Sequence, residues 1–142
     1  MIDGDARTHL TNGIQTAIVE TLTPYGADSA VVSRETTDEL VVFRVAPANP
    51  QSAPVTVTIG NNLAITLTFG HTSTQVVGPP EHIFDQLRVS LTAIFAGHFV
   101  ETGPGHGRAE LKLQTGERVI LGAEKSPLSK RFGPKQRYQP YA

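Results

Sequence analysis

Residues 54–69 read Pro-Val-Thr-Val-Thr-Ile-Gly-Asn-Asn-Leu-Ala-Ile-Thr-Leu-Thr-Phe, and this stretch decides the fold. Val55, Val57 and Ile59 alternate with Thr56 and Thr58. Leu63, Ile65, Leu67 and Phe69 alternate with Ala64, Thr66 and Thr68. Period-2 alternation of β-branched and aromatic residues marks strands buried on one face. Residues opposite each other in an antiparallel pair share a side of the sheet. A two-residue loop at Asn61-Asn62 would set inward Ile59 against outward Ala64. A three-residue loop, Gly60-Asn61-Asn62, sets Ile59 against Leu63, Val57 against Ile65 and Val55 against Leu67. The expectation is therefore a hairpin with a type I turn and bulge, with Asn62 in the left-handed region.

Before the hairpin, Leu10, Ile14, Ala17, Ile18 and Thr21-Leu22 recur at helical spacing. Asp3 or Asp5 is placed to cap this helix, and Pro24 and Gly26 to end it. Ala30–Glu35 and Leu40–Val45 read as two strands around Thr36-Thr37-Asp38-Glu39. The second is apolar almost throughout, as for a strand covered on both faces or central in a sheet. Pro47, Pro50 and Pro54 bracket an uncharged loop.

After the hairpin, Gly70–Gly78 reads as a polar loop. Pro79-Pro80 then opens a second helix, whose Ile83-Phe84, Leu87, Leu91 and Ile94-Phe95 form a stripe. Gly97 stops it, and this helix is the expected cover for the hairpin's inner face. His98–Thr102, Ala109–Leu113 and Arg118–Leu121 read as three strands. The last two form a hairpin around Thr115-Gly116-Glu117, with Gln114 paired to Arg118. The fold class expected is α+β: a largely antiparallel sheet, element order α-ββββ-α-βββ, with two helices packed on it.

The 142 residues suit one domain, residues 1–124, followed by a basic tail containing proline and aromatic residues, 125–142. The net charge of −1 is unevenly spread. Lys125, Lys130, Arg131, Lys135 and Arg137 give the tail +5, while residues 1–124 hold seven basic and thirteen acidic groups, a net of −6. The absence of cysteine excludes disulfides, thiolate metal sites and thiol nucleophiles. No run of 18 apolar residues occurs, so no membrane span is expected. Met1-Ile2-Asp3-Gly4-Asp5 lacks the pattern of a signal peptide, which makes a cytoplasmic location the expectation.

No catalytic motif emerges. Gly103-Pro104-Gly105-His106-Gly107 is followed by a strand rather than a helix and lacks Gly-Lys-Ser/Thr, so it is no phosphate loop. His9, His71, His82, His98 and His106 lack metal-ligand spacing. Glu81, Asp85, Glu101 and Glu110 are carboxylates with no pairing for acid–base work visible in the sequence. Neither a cofactor nor a metal is expected.

Two features point to binding. The outward face of the central hairpin carries Thr56, Thr58, Thr66 and Thr68 without a charge, where an exposed sheet face ordinarily carries Lys or Glu against association. The tail interleaves Lys130, Arg131, Lys135 and Arg137 with Phe132, Tyr138 and Tyr141, a combination able to fold back on the acidic body, dock on an acidic protein or contact nucleic acid. The leading expectation is a non-catalytic protein-interaction module, self-associating or partner-binding. By analogy of size and class alone, immunity-type proteins are of this kind. The alternatives are nucleic-acid binding through the tail, and a small enzyme or ligand-binding domain with a pocket formed by distant segments.

Overall fold

The computed structural model describes residues 4–102, 108–122 and 135–141. The elements are α1 (Gly4–Leu22), a 3-10 turn (Thr23–Tyr25), β1 (Ala30–Thr36), β2 (Val41–Pro47), β3 (Val55–Ile59), β4 (Ile65–Phe69) and β5 (Thr72–Val76). They continue with α2 (Pro80–Phe95), β6 (Phe99–Thr102), β7 (Arg108–Lys112), β8 (Arg118–Gly122) and β9 (Lys135–Arg137). The protein is α+β with antiparallel sheets and two helices packed against them. The strands divide between two sheets rather than one, ordered β1-β2-β3-β4-β5 and β8-β7-β6-β9.

Alternation sets the buried face. Val55, Val57, Ile59, Ile65, Leu67 and Phe69 are each at most 2% exposed. They pack with Ile14 and Ile18 of α1 and with Leu87, Leu91, Ile94 and Phe95 of α2, the stripe expected to cover them. α1 runs from Gly4, so Asp5 lies inside the first turn and is not its cap; Asp3, the other predicted cap, lies outside the described residues. Gly13, which weakens the helix by propensity, has a packing reason. A Cβ there would stand 2.1 Å from the ring of Phe84 on α2.

The central hairpin has the expected turn type, displaced by one residue. Ile59 pairs with Ile65, Val57 with Leu67 and Val55 with Phe69, not with the partners predicted from a Gly60–Asn62 loop. Gly60 N–H donates to Ala64 O at 2.8 Å and Leu63 N–H to Gly60 O at 3.0 Å, so the loop is Asn61-Asn62-Leu63. The left-handed residue is Leu63 (φ 64°), not Asn62. Asn62 Oδ1 instead accepts the Ala64 N–H at 3.1 Å. Parity could not distinguish the two registers, because a shift of two residues keeps every apolar group inward. The observed register aligns all five residues of β3 with all five of β4.

The β7–β8 hairpin is displaced by one residue in the opposite direction. Leu111 pairs with Val119 and Lys112 with Arg118. Gly116 (φ 88°) takes the left-handed position of a Gln114-Thr115-Gly116 loop. The predicted Gln114–Arg118 pair is therefore replaced. The predicted polar loop after Phe69 contains β5, antiparallel to β4, with Thr72 and Val76 buried. Thr, Ser and Gln alternate there as in an edge strand, which is why apolar periodicity missed it.

The C-terminal residues also carry structure. β9 pairs antiparallel with β6 and completes the second sheet. Residues 138–141 then run as a strap. Gln139 N–H donates to Gln51 O at 2.9 Å and Tyr141 N–H to Phe95 O at 2.9 Å. Ser52 Oγ donates to Pro140 O at 2.8 Å. Tyr141 is 2% exposed, its ring centroid lies 4.6 Å from that of Phe95, and its hydroxyl donates to Ala53 O at 2.5 Å. The predicted tail boundary at residue 125 lies outside the described residues.

Candidate functional site: a basic face on the second sheet

Alternation on β6–β9 separates two kinds of residue. Phe99, Glu101, Ala109 and Leu111 face inward and are buried. The opposite face is built row by row from the register. Arg118 lies beside Lys112, Glu110 lies between Ile120 and Val100 with Arg137 on the far side of Val100, and Thr102 lies between Arg108 and Lys135. Directly opposed residues share a face, so Arg108, Lys112, Arg118, Lys135 and Arg137 all lie on this one. Lys112, Arg118, Lys135 and Arg137 border an open depression of about 410 Å³ whose lining also includes Gly97, His98, Val100, Thr102 and Glu110.

Five of the nine described cationic side chains sit on this face, the other four being Arg7, Arg34, Arg44 and Arg88. Among the described residues Glu110 is its one carboxylate, bound to Arg118 at 3.3 Å, so the described face carries +4. The other described residues hold four cations against ten carboxylates, a net of −6. Charge is thus segregated onto one side of one sheet. Lys112, Arg118, Lys135 and Arg137 are all exposed there, each on a strand that limits where its charge can travel.

The nominated residues are distributed as follows. Lys135 and Arg137 belong to the basic face. Lys130, Arg131 and Phe132 lie outside the described residues, as does the Gly103–Gly107 loop. Tyr138 and Tyr141 point into the protein: Tyr138 stacks on Phe99 with centroids 4.9 Å apart, and Tyr141 is in the core. Thr56 opposes Thr68 and Thr58 opposes Thr66 on the uncovered face of the first sheet, all partly exposed and remote in topology from β9. Sequence reasoning missed Arg108, Lys112 and Arg118. Their polar phase against Ala109 and Leu111 was readable, but their union with Lys135 and Arg137 depends on β9 pairing with β6.

The four nominated carboxylates do not converge. Glu81 reaches His9 at 3.5 Å, Asp85 reaches Arg88 at 3.3 Å and Glu110 reaches Arg118. Glu101 is fully buried. Its Oε2 accepts the His71 N–H at 2.8 Å and the Thr72 hydroxyl at 2.5 Å, and its Oε1 accepts the Tyr138 hydroxyl. A sequence signal for this existed: Glu101 is in phase with Phe99, on the inward side of its strand. The network joins β6, the β4–β5 turn and the C-terminal strap. All of these donors come from the chain itself, so the carboxylate links these three elements. Among the described residues no three His, Asp or Glu side chains gather to hold a metal ion. None of their helices is long and apolar enough to cross a membrane.

No protein-family model, curated protein or solved structure matches this chain.

Proposed function

We propose that this protein is a non-catalytic interaction module that docks an acidic segment of a protein partner on the basic face of the second sheet. The observation that carries the reading is the segregation of charge: +4 on this face against −6 over the other described residues. Such a dipolar surface orients an approaching anionic segment toward the basic side and repels it elsewhere. β9 is an outer strand of its sheet, and an extended acidic peptide laid along it brings carboxylates to Lys135 and Arg137. A protein segment is favoured over single-stranded nucleic acid because, among the described residues, this face presents no outward Phe, Tyr or Trp ring. Phe99, Tyr138 and Tyr141, which could stack on bases, are directed inward.

The test is titration with a polyglutamate peptide and, in parallel, with duplex DNA at matched ionic strengths. The wild-type chain is compared with a variant carrying Lys112→Glu, Arg118→Glu, Lys135→Glu and Arg137→Glu. The expected result is salt-sensitive polyglutamate binding that the variant loses. Tighter binding of the duplex at equal salt moves the reading to nucleic acid, and no binding of either at low salt sinks it.

A further inference from the structure

The outer edge of the first sheet is built differently from the other strand edges. β1 runs seven residues, Ala30–Thr36, in unbroken register with β2. It contains no proline and no bulge, and every residue after Ala30 is exposed. Its two charges are engaged within the chain: Arg34 Nη1 donates to Gln15 Oε1 at 2.9 Å, and Glu35 pairs with Arg44 at 3.1 Å. Short length, proline, bulges and free lysines are the usual protections of a sheet edge, and β1 has none of them. By contrast β9 is three residues long and β5 lies against β8.

The unpaired backbone groups can be located. Thr37 N–H donates to Leu40 O at 2.8 Å and Ala48 N–H to Ser29 O at 2.8 Å. Both bonds fall in the β1–β2 register, so odd-numbered residues of β1 exchange hydrogen bonds with β2. In an antiparallel pair the bonding direction alternates by residue. The N–H and C=O groups of Ala30, Val32, Arg34 and Thr36 therefore point away from the sheet. Apolar side chains collect at the same edge. Val31 is 70% exposed, Val32 40%, and Val19 on α1 51%, three of the six large apolar side chains exposed among the described residues. Val19 follows Gln15 by one helical turn, which puts it on the flank of α1 above β1.

We infer that β1 is a self-association surface, pairing antiparallel with β1 of a second copy about a two-fold axis at Ser33. The register follows from three conditions. The outward groups belong to even-numbered residues, so they must meet even-numbered residues of the partner. Centring on Arg34 would oppose two guanidinium groups, and centring on Val32 would shorten the overlap. Centring on Ser33 pairs Ala30 with Thr36 and Val32 with Arg34 in both directions, uses the full strand, and places no like charges opposite each other. Val31 then faces Glu35 of the second copy. Two five-stranded sheets become one continuous sheet, and the exposed valines are brought to the seam.

The test is light scattering over a wide range of protein concentration, with two variants. The expected mass is twice that of the chain. Val32→Pro removes an outward N–H and no bond to β2, so it gives a monomer that still unfolds cooperatively. Ser33→Cys puts a thiol at a non-hydrogen-bonded pair on the axis, where Cα atoms about 4.5 Å apart lie within disulfide range. The natural chain has no cysteine to compete. Under mild oxidation Ser33→Cys cross-links rapidly, whereas Arg44→Cys, exposed one strand away, does not. A monomer at every concentration overturns the inference, as does a dimer that persists in Val32→Pro. Equal cross-linking of the two cysteine variants also overturns it, and that comparison decides the matter if Val32→Pro does not fold.

Discussion

The Tyr138 hydroxyl donates a hydrogen bond to Oε1 of the fully buried Glu101, thirty-seven residues earlier in the chain. The bond fixes where the C-terminal strap leaves β9. It closes a circuit in which the other oxygen of Glu101 holds the β4–β5 turn through His71 and Thr72. One carboxylate thereby ties the two sheets and the C-terminal segment together, next to the ring contacts Phe69–Phe99 and Phe99–Tyr138.

Removing that carboxylate should cost far more than reshaping it. Glu101→Ala removes the acceptor shared by the His71 N–H and the Thr72 and Tyr138 hydroxyls, an expected loss of about 3–5 kcal/mol. Glu101→Gln should lose about 1–2 kcal/mol, because the Tyr138 hydroxyl can turn to accept from the amide. Urea midpoints at constant m-value measure both. A double-mutant cycle with Tyr138→Phe should give a coupling of about 1–2 kcal/mol. A Glu101→Ala loss under about 1 kcal/mol would contradict the role assigned to the circuit.

Gly70 sits at the bend of this circuit with φ 57°. A Cβ added there would stand 2.3 Å from Glu101 Oε1 and 2.7 Å from the Tyr138 oxygen. Left-handed backbone and collision combine, so Gly70→Ala should destabilise by roughly 2–4 kcal/mol. In thermal melts it should resemble Glu101→Ala more than an ordinary turn variant.

Tyr141 anchors the end of the strap in the core. Tyr141→Ala should lose about 3–5 kcal/mol, as expected for truncating a buried aromatic ring. Tyr141→Phe should lose only about 1 kcal/mol, for the bond to Ala53 O. Deleting residues 125–142 should therefore lower stability as well as charge. The basic face is better tested by charge reversal at Lys135 and Arg137, whose side chains are exposed; such reversals should weaken acidic-peptide binding while leaving the melting temperature within a few degrees.

Alkaline pH should expose the buried phenols. Burial raises Tyr138 above its ordinary value of 10.0, with the hydrogen bond to Glu101 and the charge of Glu101 adding to the shift; burial alone raises Tyr141 and Tyr25. The folded protein keeps these protons at a pH where the unfolded chain has lost them. Their contribution is thus complete below 10.0 and falls away as pH rises beyond it. For Tyr141 the expected slope is up to about 1.4 kcal/mol per pH unit. Tyr141→Phe should flatten the fall in urea midpoint above that pH; an unchanged slope would exclude Tyr141 as its source.

Local alternation and helical spacing determined the fold class, both helices, the inward residues of the central hairpin and the contact between its inner face and α2. Each of these follows from one period matched to one buried face, and a single segment contains all the information. Register was legible only to within two residues, because parity is blind to a shift that keeps each side chain on its face. Turn hydrogen bonds at Gly60 and Leu63 made that choice. The remaining features depended on which distant strands meet. β5 lacks an apolar period, and β9 is a strand because β6 offers it an edge. Glu101 became a buried keystone through donors supplied by residues 71, 72 and 138. The basic face exists because Arg108, Lys112 and Arg118 point the same way as Lys135 and Arg137 across four strands. Net charge and its tail were visible in the sequence, but an electric field depends on positions in space, and only the tertiary structure brought those cations to one surface.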